Sequence, residues 1–353
     1  AKVWAVLKAD GYGHGAPAVA RTLERAKVDG FCVALLEEAI ELRDAGIAAP
    51  ILVMGGYYGR AYDEVLRRNL TPVLYDPSHL EGFARLVRSG SFPGPVSVHV
   101  KIDTGMARLG VRMNDLEAIA ARLAKTPEVR VSGLMTHLAC ADAEPPSEVT
   151  REQLAKFEEA QRRLSRAGLD LDGVVRHAAN SAALLRGDAV FDAVRPGLAI
   201  FGVSPVLTGA HAGAELKPVM RVRSEIVDLR TIEAGETVGY GALFRATRTT
   251  RIATIPMGYA DGLSRALSNK GHVLVRGKRA PIVGAVSMDM SMIDVTDVPG
   301  TALRDEVVAL GHQDGALGKD TIQADEVAAA CGTIPWEVMT SISRRVPRFY
   351  REP

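Results

Sequence analysis

The sequence predicts an α/β fold: a TIM (β/α)8 barrel over residues 1–205, followed by a mostly β C-terminal domain over residues 206–353. Three observations predict it. As far as Gly202, short β-branched apolar runs alternate with helical patterns at the spacing of βα units. Eight such runs can be counted, the number that closes a barrel. Beyond Gly202 the texture changes to strands of period-two alternation punctuated by Pro and Gly.

The barrel strands are read, in order, as Val3–Leu7, Phe31–Ala34, Ile51–Met54, Pro72–Leu74, Val96–Ile102, Val129–Met135, Val174–Arg176 and Val194–Phe201. Between them lie helices such as Glu37–Asp44 and Arg151–Ala167, apolar at every third or fourth position and charged on the opposite face. In the second domain the strands are Val219–Leu229, Arg251–Pro256, His272–Val275, Ile282–Val286 and Glu306–Leu310. One helix, Thr321–Cys331, interrupts them, with Thr321 as its N-cap and Gly332 as its stop.

Composition narrows the function. With 353 residues, 47% apolar and 24% charged, the chain can bury a full core in about two domains. Lys and Arg total 43 against 42 for Asp and Glu, so no charge excess draws it to nucleic acid or an anionic membrane, and a small-molecule partner is expected. Cys32, Cys140 and Cys331 are odd in number and widely spaced without a CxxC pair. That argues against a disulfide framework or a metal site and for a reducing, cytoplasmic setting. The least charged stretch, 197–214, carries Pro205, Ser204, Thr208, His211 and several glycines, and it fails as a membrane span. No signal peptide is visible; the chain opens inside an apolar strand without Met, so a preceding segment is expected to have been lost.

Three segments carry chemistry. The first strand runs into Lys8-Ala9-Asp10-Gly11-Tyr12-Gly13-His14-Gly15, which sets a lysine at the barrel mouth beside a glycine-rich turn. Taken alone, Lys8 reads as a surface lysine. After strands seven and eight, where barrels often bind phosphate, come His177-Ala178-Ala179-Asn180-Ser181 and Arg195-Pro196-Gly197-Leu198. Ser181 stands where a helix begins, and Gly197 lets an anion approach the backbone. Singly, each also reads as a helix cap or a turn.

These pieces, with His99–Gly110, Thr136-His137-Leu138-Ala139, Gly239-Tyr240-Gly241, Gly258–Gly262, Ser287-Met288-Asp289 and Arg345-Val346-Pro347-Arg348, resemble in order and over the whole chain the alanine racemases, pyridoxal-phosphate enzymes of barrel-plus-β-domain form. The resemblance implies interconversion of L- and D-alanine, supplying D-alanine for cell-wall peptidoglycan. It implies that Lys8 carries pyridoxal 5'-phosphate as a Schiff base and serves as one base, with Tyr240 as the second. Tyr240 is supplied by the partner of a homodimer with shared sites. A free tyrosine, with a pKa of about 10, needs help to act as a base at neutral pH; the family supplies it through His137, which leads on to Arg195. By the same resemblance, Arg195 is expected to contact the pyridine nitrogen and leave it unprotonated, which weakens the ring as an electron sink and disfavours transamination. Arg108 is expected to meet the phenolic oxygen and the substrate carboxylate. Lys101 is either carbamylated, an anion holding Arg108, or an unmodified lysine in an ion pair.

Tyr12, Asn180, Ser181, Gly197 and Leu198 complete the implied cofactor pocket, and Met288 and Tyr259 the substrate side. Two positions depart from the pattern. Trp336 stands where a tyrosine reaching the phosphate is expected; it still offers one donor but accepts nothing. Ala285 replaces an arginine, so the approach corridor is expected to be wider and less cationic. Both point to an alternative, a racemase that also accepts serine or other small amino acids; a carrier of the cofactor without catalysis is a third reading.

Overall fold

The structure, a computed structural model, describes residues 1–56, 61–143, 147–206 and 216–351. Residues 207–214 of the weakly charged stretch therefore lie outside the described residues. Two compact units divide the chain: Ala1–Gly11, Gly15–Ile200 and the stretch from Ser204 form one, while Tyr12–His14, Phe201–Val203 and the chain from Lys217 onward form the other.

The first unit is a closed parallel barrel. Its strands are β1 Lys2–Val6, β2 Gly30–Leu35, β3 Ile51–Gly56, β4 Thr71–Leu74, β5 Val96–Asp103, β6 Val129–Met135, β7 Val175–His177 and β8 Ala193–Val194. They pair in the order β4-β3-β2-β1-β8-β7-β6-β5, and β4 with β5 closes the ring. Successive residues such as Phe31, Cys32 and Val33, or Ile51, Leu52 and Val53, are all fully buried, which is why these strands read as unbroken apolar runs. The last predicted strand is corrected. Only Ala193–Val194 is extended, because Pro196 cannot donate to a ladder and Leu198–Phe201 winds into a 3-10 turn. Leu198 and Phe201 are both buried, so the turn needs as apolar a sequence as a strand does.

Helices clad the ring: α1 Ala16–Arg25, α2 Leu36–Asp44, α3 Tyr62–Arg67, α4 Pro77–Arg88, α5 Leu116–Ala124, α6 Glu148–Arg166 and α7 Ser181–Arg186. The longest, α6, starts where the Ser147 hydroxyl accepts the Val149 N–H at 3.2 Å. It buries Thr150, Gln153, Phe157, Ala160 and Leu164, the three-and-four spacing of a one-sided helix, while its other face is charged.

The second unit is antiparallel. Strands β9 Val222–Glu225, β10 Asp228–Ile232, β11 Thr250–Ile255, β12 His272–Val275, β13 Lys278–Val283, β14 Ser291–Asp294, β15 Glu306–Gly315 and β16 Gly318–Ile322 order as β9-β15-β12-β13-β14-β11-β10, with β16 on β15. The single expected strand Val219–Leu229 is two: its halves pair at opposite ends of this order, and the break falls at Ile226, whose N–H and C=O bond Asp305 and Arg304. Strand β13 begins at Lys278 and stops at Val283 rather than running from Ile282 to Val286, because Gly284 turns left-handed at φ 75. Thr321 is no helix cap. It lies in β16, held extended by Ile322, which is buried with Leu274 and Val308. The helix is α8, Ala324–Cys331, closed by left-handed Gly332 as expected, and a further helix, α9 Pro335–Thr340, follows it.

Gly133 on β6 shows how tightly the barrel is filled. A methyl group there meets the His99 ring at 2.5 Å, so the imidazole lies flat on the glycine. Gly133→Ala is expected to cost about 1–3 kcal/mol of stability, read from chemical denaturation; a midpoint equal to the parent's contradicts this packing.

Candidate active site

Lys8 follows β1 at the C-terminal end of the strands and opens an unusual turn. Ala9, Asp10, Gly11, Tyr12 and Gly13 have φ of 53, 54, 60, 53 and 77, a left-handed helical turn closed by Gly11 N–H on Leu7 C=O at 2.9 Å. Each non-glycine residue in that conformation costs about 1–2 kcal/mol, so other bonds must hold it. Asp10 accepts the Ala16 N–H at 2.9 Å, and Glu38 of α2 accepts the Ala9 N–H at 2.6 Å. Lys8 is half-buried. Burial first, then the charge of Arg108, lowers its pKa, and Glu38 opposes them.

Arg108 and Lys101 come from β5 and the turn after it. Asp103 builds that turn by accepting the N–H groups of Gly105, Met106 and Ala107 at 3.0–3.1 Å. Gly110 allows the close return, since a Cβ there lies 2.5 Å from the Asp103 nitrogen. Arg108 is exposed; Lys101 is 6% exposed, and burial, then Arg108 and Arg195, push its pKa down to about 8. The charges crowd one end of the barrel. Lys8 lowers the Lys101 pKa, and burial followed by Arg195, Arg108, Lys101 and Lys8 holds half-buried His137 at about 3.

Arg195 lies deepest, at 3% exposure. Its guanidinium donates to His177 Nδ1 at 2.6 Å and to the carbonyls of Thr136 and Ala178 at 2.7 and 3.3 Å. No carboxylate is among these partners, and burial alone lowers its pKa to about 10. The expected link from His137 to Arg195 is therefore one of charge and not a hydrogen bond. Because arginine only donates, His177 Nδ1 must accept, and its Nε2–H then donates to His99 Nδ1 at 2.8 Å. Trp4 stacks on His177 at 6.1 Å and lies tilted against His99 at 5.3 Å.

The two segments expected to bind phosphate also meet within this unit. Asn180, not Ser181, caps α7, its side chain accepting the Ala183 N–H at 3.1 Å. Ser181 Oγ accepts the N–H of Gly197 at 2.8 Å and of Ala199 at 3.3 Å, which leaves its O–H to donate. Leu198 is buried beside them.

Sequence reasoning passed over three groups. Gln153 joins the two loops that carry Arg108 and His137: its amide donates to Thr104 Oγ1 and the His137 carbonyl and accepts the Ala139 N–H. The signal was a polar residue on the apolar face of α6. His99 and His177 stood in the quoted motifs without a role.

In the second unit, Tyr240 begins a short 3-10 turn flanked by left-handed Gly239 and Gly241, and it is 78% exposed. Met288 is 52% exposed; Tyr259 N–H donates to Ser287 C=O, and Ala260 N–H to Met288 C=O. Arg345 ties both loops by bonding Asp261 and Asp289. Ala285 is buried, its nitrogen 3.6 Å from where a Cβ on Gly239 lies. Tyr12, also in this unit, is buried against Phe201, and Trp336 is half-buried at the start of α9.

The alanine racemase N-terminal domain family matches residues 1–205 and the C-terminal domain family residues 219–350. The chain belongs to the alanine racemase family. The alanine racemase of Sorangium cellulosum is 61% identical over 100% of this chain and 92% of its own length, and that of Syntrophobacter fumaroxidans 42% over 97% and 89%. Among solved structures, the alanine racemase of a D-cycloserine-producing Streptomyces lavendulae superposes with a TM-score of 0.90 at 34% identity, covering 100% of this chain and 91% of that one. The alanine racemase of Bartonella henselae, solved with covalently bound pyridoxal phosphate, gives 0.86 at 31%, covering 99% and 92%. Alanine racemases depend on pyridoxal phosphate, and the donors here fit it: an amine of lowered pKa, a serine O–H beside a glycine loop, and a buried guanidinium with only neutral acceptors.

His99 and His177 add a pH dependence to this alanine racemase fold. His99 sits at about 3 and His177 well below the ordinary 6.5, both first through burial, so the folded protein keeps them neutral while the unfolded chain protonates below 6.5. Their joint contribution is full above that value and is lost as pH falls below it. Urea midpoints are expected to fall from about pH 7 to about pH 5, less steeply in His99→Gln; equal slopes contradict the assignment.

Proposed function

We propose that the chain interconverts L- and D-alanine with two bases, Lys8 and Tyr240, supplying D-alanine for cell-wall peptidoglycan. The observation that carries this reading is Arg195: a buried guanidinium held by His177 and two carbonyls would offer a cofactor only hydrogen-bond donors and no acid of ordinary strength. Lys8 would hold pyridoxal phosphate, which would supply an electron-withdrawing ring that acidifies the substrate Cα–H.

Lys8 Nζ takes or returns the proton on one face of Cα, as its lowered pKa favours. The partner's Tyr240 would serve the opposite face through Oη, with the N–H of neutral His137 donating to it and the charge of Arg195 behind that ring. Arg108 orients the substrate carboxylate, and the N–H of Met288 meets the same group; Tyr259 borders the amino acid. Tyr12, Asn180, Ser181, Gly197, Leu198 and Trp336 would hold the cofactor. Lys101, buried among cations and pushed down to about 8, suits carbamylation, which turns it into an anion beside Arg108. Carbon-13 bicarbonate is expected to give a carbamate signal that Lys101→Ala lacks; its absence in the parent protein contradicts the modification.

The same reading makes the barrel domain, residues 1–205, the cofactor half and the β domain, residues 206–353, a contribution to the partner subunit's site in a homodimer. Exposed Tyr240 and Leu243 on one short turn, and exposed Met288 and Met290 on another, support it as apolar side chains that a partner would cover. Unpaired Cys32, Cys140 and Cys331 suit a cytoplasmic enzyme.

Lys8→Ala is expected to abolish racemisation together with the borohydride-reducible chromophore, and Tyr240→Phe to abolish racemisation while keeping the chromophore. Mixing the two inactive proteins under subunit exchange should restore about a quarter of parental activity, because half the dimers are mixed and each has one intact site. No recovery, or no solvent deuterium at the product's Cα, sinks the two-base dimer.

A further inference from the structure

Glu38 does more than its place on α2 demands. At the third position of that helix, a glutamate ordinarily turns back to bond the N-cap N–H. Oε2 does so, accepting the N–H groups of Ala34 and Leu35 at 2.8 and 3.0 Å. That completes the capping role. Oε1 turns the other way and accepts the N–H of Ala9 at 2.6 Å, across 29 residues of sequence.

We propose that Glu38 is a positioning residue for Lys8: its carboxylate bridges the end of β2 and the left-handed turn, fixing the backbone that follows the lysine and setting a negative charge toward the amine. The proposal rests on reading Lys8 as the amine that carries the cofactor. Ala9 is the first left-handed residue of the turn, so its N–H sits where the chain changes hand. A charged acceptor there makes a stronger bond than a neutral one. It also offsets part of the cost of that conformation.

The charges around Lys8 divide simply. Arg108, from the turn after β5, and burial both disfavour the protonated amine, and Glu38 favours it. Lys101 of β5 and His137 after β6 feel the Lys8 charge in turn, and neither is an acid. Asp10, two residues along, anchors the Ala16 N–H, and it is Glu38 that acts on the Lys8 charge. Glu38 therefore counters the cations and keeps the amine able to hold a proton as well as release one, which a residue serving both directions of a proton exchange requires.

The test titrates Lys8 itself. The full chain, cleared of cofactor, is acylated over a range of pH with a small amine-reactive ester; peptide mass spectrometry follows Lys8, with exposed Lys125 as internal reference. Glu38→Gln removes the charge but keeps one oxygen acceptor, and it is expected to move the Lys8 profile to lower pH, with labelling near neutrality about threefold faster. Glu38→Asp keeps the charge one methylene further back, and should shift it the same way by less. Should the Gln protein not fold, the Asp shift alone decides. Profiles of the variants that superimpose on the parent's, with only a drop in unfolding temperature, would reduce Glu38 to a helix cap and overturn the proposal. Lys125 is expected to stay unmoved. Because no step measures racemisation, failure here is distinct from failure of the proposed function.

Discussion

The barrel is organised around one buried cation. Taking a guanidinium out of water costs several kcal/mol even after relaxation, and a carboxylate partner is the usual compensation. Arg195 has instead an imidazole nitrogen and two carbonyls. That choice propagates outward. An accepting Nδ1 fixes the tautomer of His177, His177 fixes that of His99, and the His99 ring lies flat only because residue 133 has no side chain. Leaving the charge without an anion keeps the mouth of the barrel electropositive, together with Lys8 and Arg108. Such a site discourages protons and attracts an anionic ligand.

Acids near the site serve chiefly as backbone anchors. Asp103 gathers three consecutive N–H groups to shape the turn before Arg108, Asp10 reaches Ala16, and Glu38 spans the end of β2 and the turn after Lys8. Gln153 does the same without charge, linking the loops after β5 and β6 from the buried face of α6. Loops at the C-terminal ends of barrel strands are thus tied to one another as well as to their own strands. This gives side chains on loops the fixed placement that proton transfer needs.

The second unit has a different economy of surface. Its strands bury Val238, Ile252 and Val283 in one cluster and Leu274, Val308 and Ile322 in another, yet Tyr240 and Met288 stay in solvent. Left-handed glycines on both sides of Tyr240 present the phenol on a rigid turn, and the Arg345 brace holds the loops of Tyr259 and Met288. These features are hard to explain as packing within one unit and simple to explain as a surface made for use.

By itself the sequence determined the kind of fold and the segments in which a site was to be sought. Hydrophobic period marks an element wherever one face or both are buried, so seven of the eight barrel strands were legible from β-branched runs, as was α6 from its three-and-four spacing. Lys8, Ser181 and Arg195 stood out because their neighbours in the chain are unusual, whereas Lys101, Arg108 and His137 drew notice only through the family resemblance. Tertiary structure alone decided what period cannot encode. The run at 194–201 became a 3-10 turn, since a buried turn and a buried strand want the same residues. Val219–Leu229 split to serve two sheet ends. Above all, partners were invisible: Arg195 to His177 spans 18 residues, Glu38 to Ala9 spans 29 and Gln153 to Thr104 spans 49, and hydrogen bonds over such separations leave no local trace in composition or spacing.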